Sequence, residues 1–299
     1  MPHSLSTLDV IQPERLLFPF RGSLYTGADS YCELSRLYHA MQATPDSLWQ
    51  LDWQQLHYLD ANLSAVLAAI AHHTAGRQGN RLLMDPRQVN RPDSVFVRNG
   101  LASVLSHEGG TFFDERQSTV PVCYFTINEV DAFADYVDTK LLGHHSLRQL
   151  TTGQRDRIVS CYYELFNNVE LHAQTEHVTV CGQYYPLKRL LIFTMVDFGI
   201  GFLPLVSNYT QRMNLAPVET PRDAIVWALK GGSTKTLASG GSGLQGIVKH
   251  CKATNGSIHV ATSGGYFQFD PVGAQPVVYE SVAKPLPGTL IHLIFRVSQ

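Results

Sequence analysis

The chain runs to 299 residues, enough for two ordinary domains, and 44% hydrophobic against 16% charged residues exclude wholesale disorder and permit a large buried core. With 23 basic and 25 acidic residues the formal net charge is -2, which excludes a strong general attraction for nucleic acid or an anionic membrane. In chain order, the residues before Arg15 read as a polar lead-in. Arg15 to Phe20 is a short apolar strand, suited to a sheet edge because Pro19 has no N–H to donate. Gly27 to Ala40 is helical, with Leu34, Leu37 and Tyr38 on one face, and Ser47 to Trp53 alternates as a strand. Asn62 to Thr74 is rich in alanine, places Leu63, Val66, Leu67 and Ile70 on one helical stripe, and is closed by Gly76 and Gly79. Arg81 to Pro86 is again a strand and Val95 to Leu105 a helix. Strands alternating with helices predict an α/β layer.

Within this layer the strand, loop, alanine-rich helix, glycine and strand of Trp49 to Asp85 resemble a STAS domain, the module shared by sulfate transporters and anti-sigma-factor antagonists. In the regulatory members the loop before the helix carries a phosphorylatable serine. Here it reads Asp60-Ala61-Asn62-Leu63, with no hydroxyl at that place and Ser64 beyond it. The resemblance therefore implies a docking or dimerising role without phosphorylation.

The expected division is a STAS-like α/β domain over 1–110, a linker and connecting helix over 111–149, and a second domain over 150–299. Thr111 to Ile127 is strand-like, with Pro121 favouring an edge or a linker, and Asn128 to Leu142 is helical. Thr151 followed by Gln154 has the form of a capping box that starts a long helix through His172. On that helix Glu164, Asn168 and His172 fall at i, i+4 and i+8 on one face, with Leu165 and Val169 on another. A carboxylate, a carboxamide and an imidazole on one stripe can polarise a water and offer oxygen to a hard cation such as magnesium. Lys188 to Val196 is an apolar strand ending in Asp197-Phe198-Gly199-Ile200-Gly201. Asp197, when ionised, only accepts hydrogen bonds, and the glycines let backbone turn tightly and approach a ligand. Gly240 to Gly246 opens a helix with Leu244, Ile247, Val248 and Cys251 facing inward; free N–H groups and the positive dipole end suit phosphate there. Gly256 to Thr262, Gly265 to Phe269 and Thr289 to Val297 read as antiparallel strands.

Glu164-x-x-x-Asn168 on a helix, Asp197-x-Gly199-x-Gly201 after a strand, the turn Gly241-Ser242-Gly243-Leu244 and the final Gly288-Thr289, in that order, resemble the Bergerat ATP-binding fold of the GHKL family. The family takes its name from gyrase, heat-shock chaperones, histidine kinases and MutL, and the resemblance covers roughly residues 150 to 299. It implies a two-domain α/β protein whose C-terminal part is an α/β sandwich, with a mixed, mostly antiparallel sheet and helices on one face. By that resemblance Asp197 reads the adenine amino group with support from Thr289, and Glu164 is the candidate catalytic residue, as general base or water orienter. Asn168 holds Mg2+, and His172 matches a residue one turn beyond it in the kinase-like members. Gly199, Gly201, Gly241, Ser242, Gly243 and Leu244 cradle the nucleotide. Phe202 to Gly240 corresponds to the ATP lid, in which Lys235 is the candidate contact to the terminal phosphate. Gln245 departs from the family, which has glycine at that place.

The function implied is Mg-dependent ATP binding with slow hydrolysis, working as a regulatory or signalling switch through the lid. The alternatives are a serine or histidine protein kinase of the same branch and a non-hydrolysing nucleotide-binding module. His144-His145 precede the ATPase region, but no two-helix dimerisation pattern surrounds them. A protein partner or a homodimer is expected through the N-terminal domain. The five cysteines, Cys32, Cys123, Cys161, Cys181 and Cys251, are scattered and never form C-x-x-C, so neither a disulfide framework nor a zinc site is expected. The first residues lack the pattern of a secretory signal and no apolar run is long enough to span a bilayer, which predicts a cytoplasmic protein.

Overall fold

Pro19 lies in β1 (Arg15–Leu24), which pairs with β2 (Leu48–Leu59) alone and forms a sheet edge, as its missing N–H requires. The computed structural model describes residues 15–84, 94–106, 114–234, 243–271, 277–280 and 284–296. The register of β1 on β2 shifts just past the proline, between Pro19 and Arg21. With β3 (Arg81–Leu83) these strands make a three-stranded parallel sheet. Parallel neighbours need crossovers, and here they are α1 (Ala28–Ala43) and α2 (Ser64–Gln78). Every residue of α2 from Ser64 to Ala69 is buried. Its alanines let it lie close between the parallel sheet and a second sheet, so this helix has no solvent stripe over its first turns.

The region expected as one helix from Val95 to Leu105 is two, α3 (Val95–Arg98) and α4 (Leu101–Ser106). A glycine turn and a buried asparagine, held in place by α2, make the break. Gly100 takes φ 85°, and the buried Asn99 side chain accepts from Leu101 N–H at 3.1 Å while donating to Ser64 Oγ at 2.9 Å.

The second sheet has seven strands, β4 (Thr119–Thr126), β5 (His177–Tyr185), β6 (Leu190–Asp197), β7 (Ser257–Thr262), β8 (Gly265–Phe269), β9 (Val277–Glu280) and β10 (Thr289–Arg296). Their spatial order is β4-β5-β6-β10-β7-β8-β9. All neighbours are antiparallel, so the sheet is uniform where a mixed one was expected. β4, from the stretch read as a linker, is an edge strand of this sheet, and Pro121 sits at its one irregularity. The helix that follows, α5 (Val130–Tyr136), stacks Phe133 on Phe166 at 4.5 Å between ring centres.

The remaining helices are α6 (Thr152–Asn168), α7 (Phe202–Arg212), α8 (Pro221–Leu229) and α9 (Gly243–Ala253). The capping box of α6 is present: Gln154 N–H donates to Thr151 Oγ1 at 3.3 Å, and Thr151 N–H donates to Gln154 Oε1 at 2.8 Å. α6 and α9 cover one face of the seven-stranded sheet, burying Tyr162, Leu165 and Ile247 against Phe193, Val260 and Ile291. The opposite face is not open to water. Val122, Cys181, Val196, Ala261 and Leu290 on that face join Phe18, Trp53, Leu67 and Ile70 of the N-terminal layer in one apolar cluster. Among the described residues no helix is long and apolar enough to cross a membrane.

Candidate functional site

β6 and β10 run side by side, and Asp197 at the end of one pairs directly with Thr289 at the start of the other. Two close approaches hold this rung. Gly288 adopts φ 75°, and a Cβ there would fall 2.0 Å from the Asp197 carbonyl oxygen, so only glycine fits. A Cβ on Gly199 would fall 1.9 Å from the Ala173 carbonyl, to which Ile200 N–H donates at 2.8 Å. The end of the α6 segment is thereby locked to the strand end. Phe198, between them, turns the other way and packs on His73 and Tyr38 of the N-terminal layer, at 5.0 and 5.6 Å between ring centres.

Asp197 is 6% exposed. Burial raises its carboxyl from the usual 3.8 to about 7, against the opposing pull of N–H donors from Gly199 and Thr289. The Gly199 N–H reaches Oδ1 at 3.0 Å. The carboxyl borders a cavity that is continuous with solvent.

Glu164, Asn168 and His172 line the same cavity. The first two project from α6, but His172 does not lie on α-helix: Val169–Ala173 is a π-helical turn. In a regular α-helix each four-residue step drifts about 40° around the axis. The wider π turn winds less per residue, which offsets the drift and keeps His172 on the cavity side. Sequence periodicity reached the stripe but not this device.

Gly201, Gly243, Leu244 and Thr289 also border the cavity. Gly199 does not; its part is the contact to Ala173. Gly201, at φ 72°, turns the chain into α7. The first N–H groups of α7 are already taken, Phe202 by Thr262 Oγ1 at 3.0 Å and Leu203 by Ser263 Oγ at 3.3 Å, so this helix end offers them to no anion. Lys235, Gly241 and Ser242 lie outside the described residues. Further walls come from Phe202 and Val206 of α7, Trp227 of α8, and Ser233 and Thr234 beyond it. The α7 residues are missing from the expected site because Phe202 to Gly240 is assigned there to the lid as a whole; the helical spacing of Phe202, Leu205, Val206 and Tyr209 was the available signal.

Chemically the cavity is an apolar chamber with a buried acceptor carboxylate in one wall and an acid–amide–imidazole stripe in another. No group of three or more His, Cys, Asp or Glu among the described residues could cage a metal ion. No protein-family model matches the sequence, and no curated protein matches it.

Proposed function

We propose that the protein binds ATP with Mg2+ in this cavity and hydrolyses it slowly, with the seven-stranded sheet and its α6–α9 face forming a Bergerat-type ATPase layer. The observation that carries the reading is that Glu164, Asn168, Asp197 and Thr289, separated by more than a hundred residues of chain, border one chamber. The Asp197 carboxylate is an acceptor in a desolvated wall and matches the adenine amino group, which only donates; guanine would present an acceptor there and be rejected. Glu164, half-buried on the stripe, is placed to take a proton from an attacking water. Asn168 offers the amide oxygen that would hold magnesium, and His172 a polar contact one turn on. A magnesium ion held there would neutralise phosphate charge. Gly243 and Leu244 bring the start of α9 to the nucleotide. The N-terminal layer, STAS-like in this reading, rests on the back of the same strands and is the route by which a bound nucleotide would be felt by a protein partner or a second copy.

The protein-kinase reading gains nothing from His144. That residue is 7% exposed, its Nδ1 lies 2.7 Å from Ser146 Oγ, and it packs against His145 and Tyr184. Labelled ATP and Mg2+ with purified protein separate the possibilities. Hydrolysis releases free phosphate, a kinase labels protein, and a binding module does neither. Phosphate release is expected, lost in Glu164→Ala with nucleotide binding retained. Normal hydrolysis by that variant would remove Glu164 from its role. Asp197→Asn should weaken binding, and unchanged affinity by calorimetry would end the adenine assignment.

A further inference from the structure

ATP binding as described leaves Trp227 without a task, yet its surroundings are unusually specific. Its indole forms part of the cavity wall, with the ring of Tyr209 centred 5.9 Å away. Just past it α8 ends in a left-handed turn. Gly231 takes φ 91° and donates to Ala228 O at 3.1 Å, and Gly232 N–H donates back to Trp227 O at 3.1 Å. Gly232 then lies flat on the indole. A Cβ there would meet Trp227 Cδ2 at 2.3 Å and Cε2 at 2.4 Å. On the other side Gly231 faces Gln245 of α9, whose Oε1 would stand 3.2 Å from a Cβ at 231. Gln245 is itself tied to Lys249 Nζ at 3.3 Å. The two residues that follow the glycine pair, Ser233 and Thr234, border the cavity.

The described lining of the cavity carries no lysine or arginine, so at these walls phosphate oxygens would meet hydroxyl and N–H donors together with the cation. Asp197, an acceptor, repels them from its own wall. Donors elsewhere on the rim therefore matter, and the path that presents Ser233 and Thr234 depends on two glycines clamped between an indole face and a glutamine amide. We propose that Trp227 is a positioning residue: with Gln245 it fixes the Gly231-Gly232 turn so that the Ser233 and Thr234 hydroxyls receive the phosphate end of the nucleotide. This rests on the nucleotide reading above. It also gives Gln245, the departure from the family glycine, a defined contact.

Calorimetry with ATP, ADP and adenosine in Mg2+, on the full chain and on Trp227→Ala, Trp227→Phe and Gly232→Ala, tests it. Loss of one charge-assisted hydrogen bond corresponds to about a tenfold change in affinity. Trp227→Ala and Gly232→Ala should each weaken ATP by about tenfold or more while adenosine stays within about twofold. Trp227→Phe, which keeps a flat face for Gly232, should recover most of the loss. If adenosine weakens in parallel with ATP in Trp227→Ala, the indole is a base contact and the positioning role is overturned. Unchanged ATP affinity in Gly232→Ala would overturn it too, whether or not Trp227→Ala folds. A wild-type chain that binds none of the three ligands removes the nucleotide reading itself, and this inference with it.

Discussion

Asn62, in the turn ahead of α2, donates its side-chain amide to Thr194 Oγ1 on β6 at 3.0 Å. Thr194 lies 2.6 Å from His292 Nδ1, its cross-strand partner on β10, and Tyr185 O–H reaches Asn62 Oδ1 at 3.1 Å. Asn62, Thr194 and His292 are buried in the seam between the N-terminal layer and the sheet, with Tyr185 half-buried at its margin. Burial lowers His292 to about 3, so it stays neutral. Removing one member strands several partners without water. Asn62→Ala should therefore lower stability by about 2–4 kcal/mol, read by urea denaturation. A loss below about 0.5 kcal/mol would mean that the network adds nothing to the seam.

The raised Asp197 carboxyl has a sign that can be tested without any ligand. Its folded value, about 7, lies above the ordinary 3.8, so ionisation costs the folded state more than the unfolded one. The cost is absent below the unfolded value, grows as pH rises between the two, and is complete above about 7. Asp197→Asn should thus be more stable than wild type at pH 8, by an amount on the order of a few kcal/mol, and nearly equal to it at pH 4. Thermal melts at the two pH values decide this; equal differences at both would contradict the burial-driven shift. Since the ionised form is the stronger acceptor for an adenine amino group, nucleotide affinity should fall as pH drops below the raised value, by at most about tenfold per unit.

Gly199 and Gly153 make a matched pair. Alanine at 199 drives a methyl into the Ala173 carbonyl and must part the end of the α6 segment from the strand. A loss of more than about 2 kcal/mol is expected. Gly153 sits in the first turn of α6 with nothing within 4 Å of a Cβ. Alanine there should raise stability by about 0.5 kcal/mol, through helix propensity and a less flexible unfolded chain. Chemical denaturation of both variants would expose a reversal of this order.

Thr151→Ala removes the side-chain half of the capping box and leaves Gln154 N–H only its backbone acceptor, Thr151 O at 3.0 Å. The expected cost is about 1 kcal/mol, seen as a shift in denaturation midpoint with unchanged slope. A changed slope would point to fraying of α6 already in the native state.

Features with local causes were legible in the sequence. Thr151 and Gln154 define a cap by spacing alone, Pro19 and Pro121 mark edges because each lacks a donor, and Glu164 and Asn168 share a face by helical period. What escaped depends on distant chain. The break at Asn99-Gly100 is set by Ser64, which lies 35 residues away in sequence. The π turn that keeps His172 on the stripe ends against Gly199. The apolar run of β6 marked a strand, but not that α2 and its neighbours are what cover Val196 and Leu290.

That covering has a consequence for taking the protein apart. Val196, Leu290, Ala261 and Tyr266 share a cluster with Phe18, Trp49 and Trp53. A fragment starting near β4 would carry this slab bare to water, and an apolar expanse of that kind drives self-association. The seven-stranded sheet and the parallel sheet behind it are not detachable modules on a string; each is the other's missing wall, and they must be made, handled and cut as one piece.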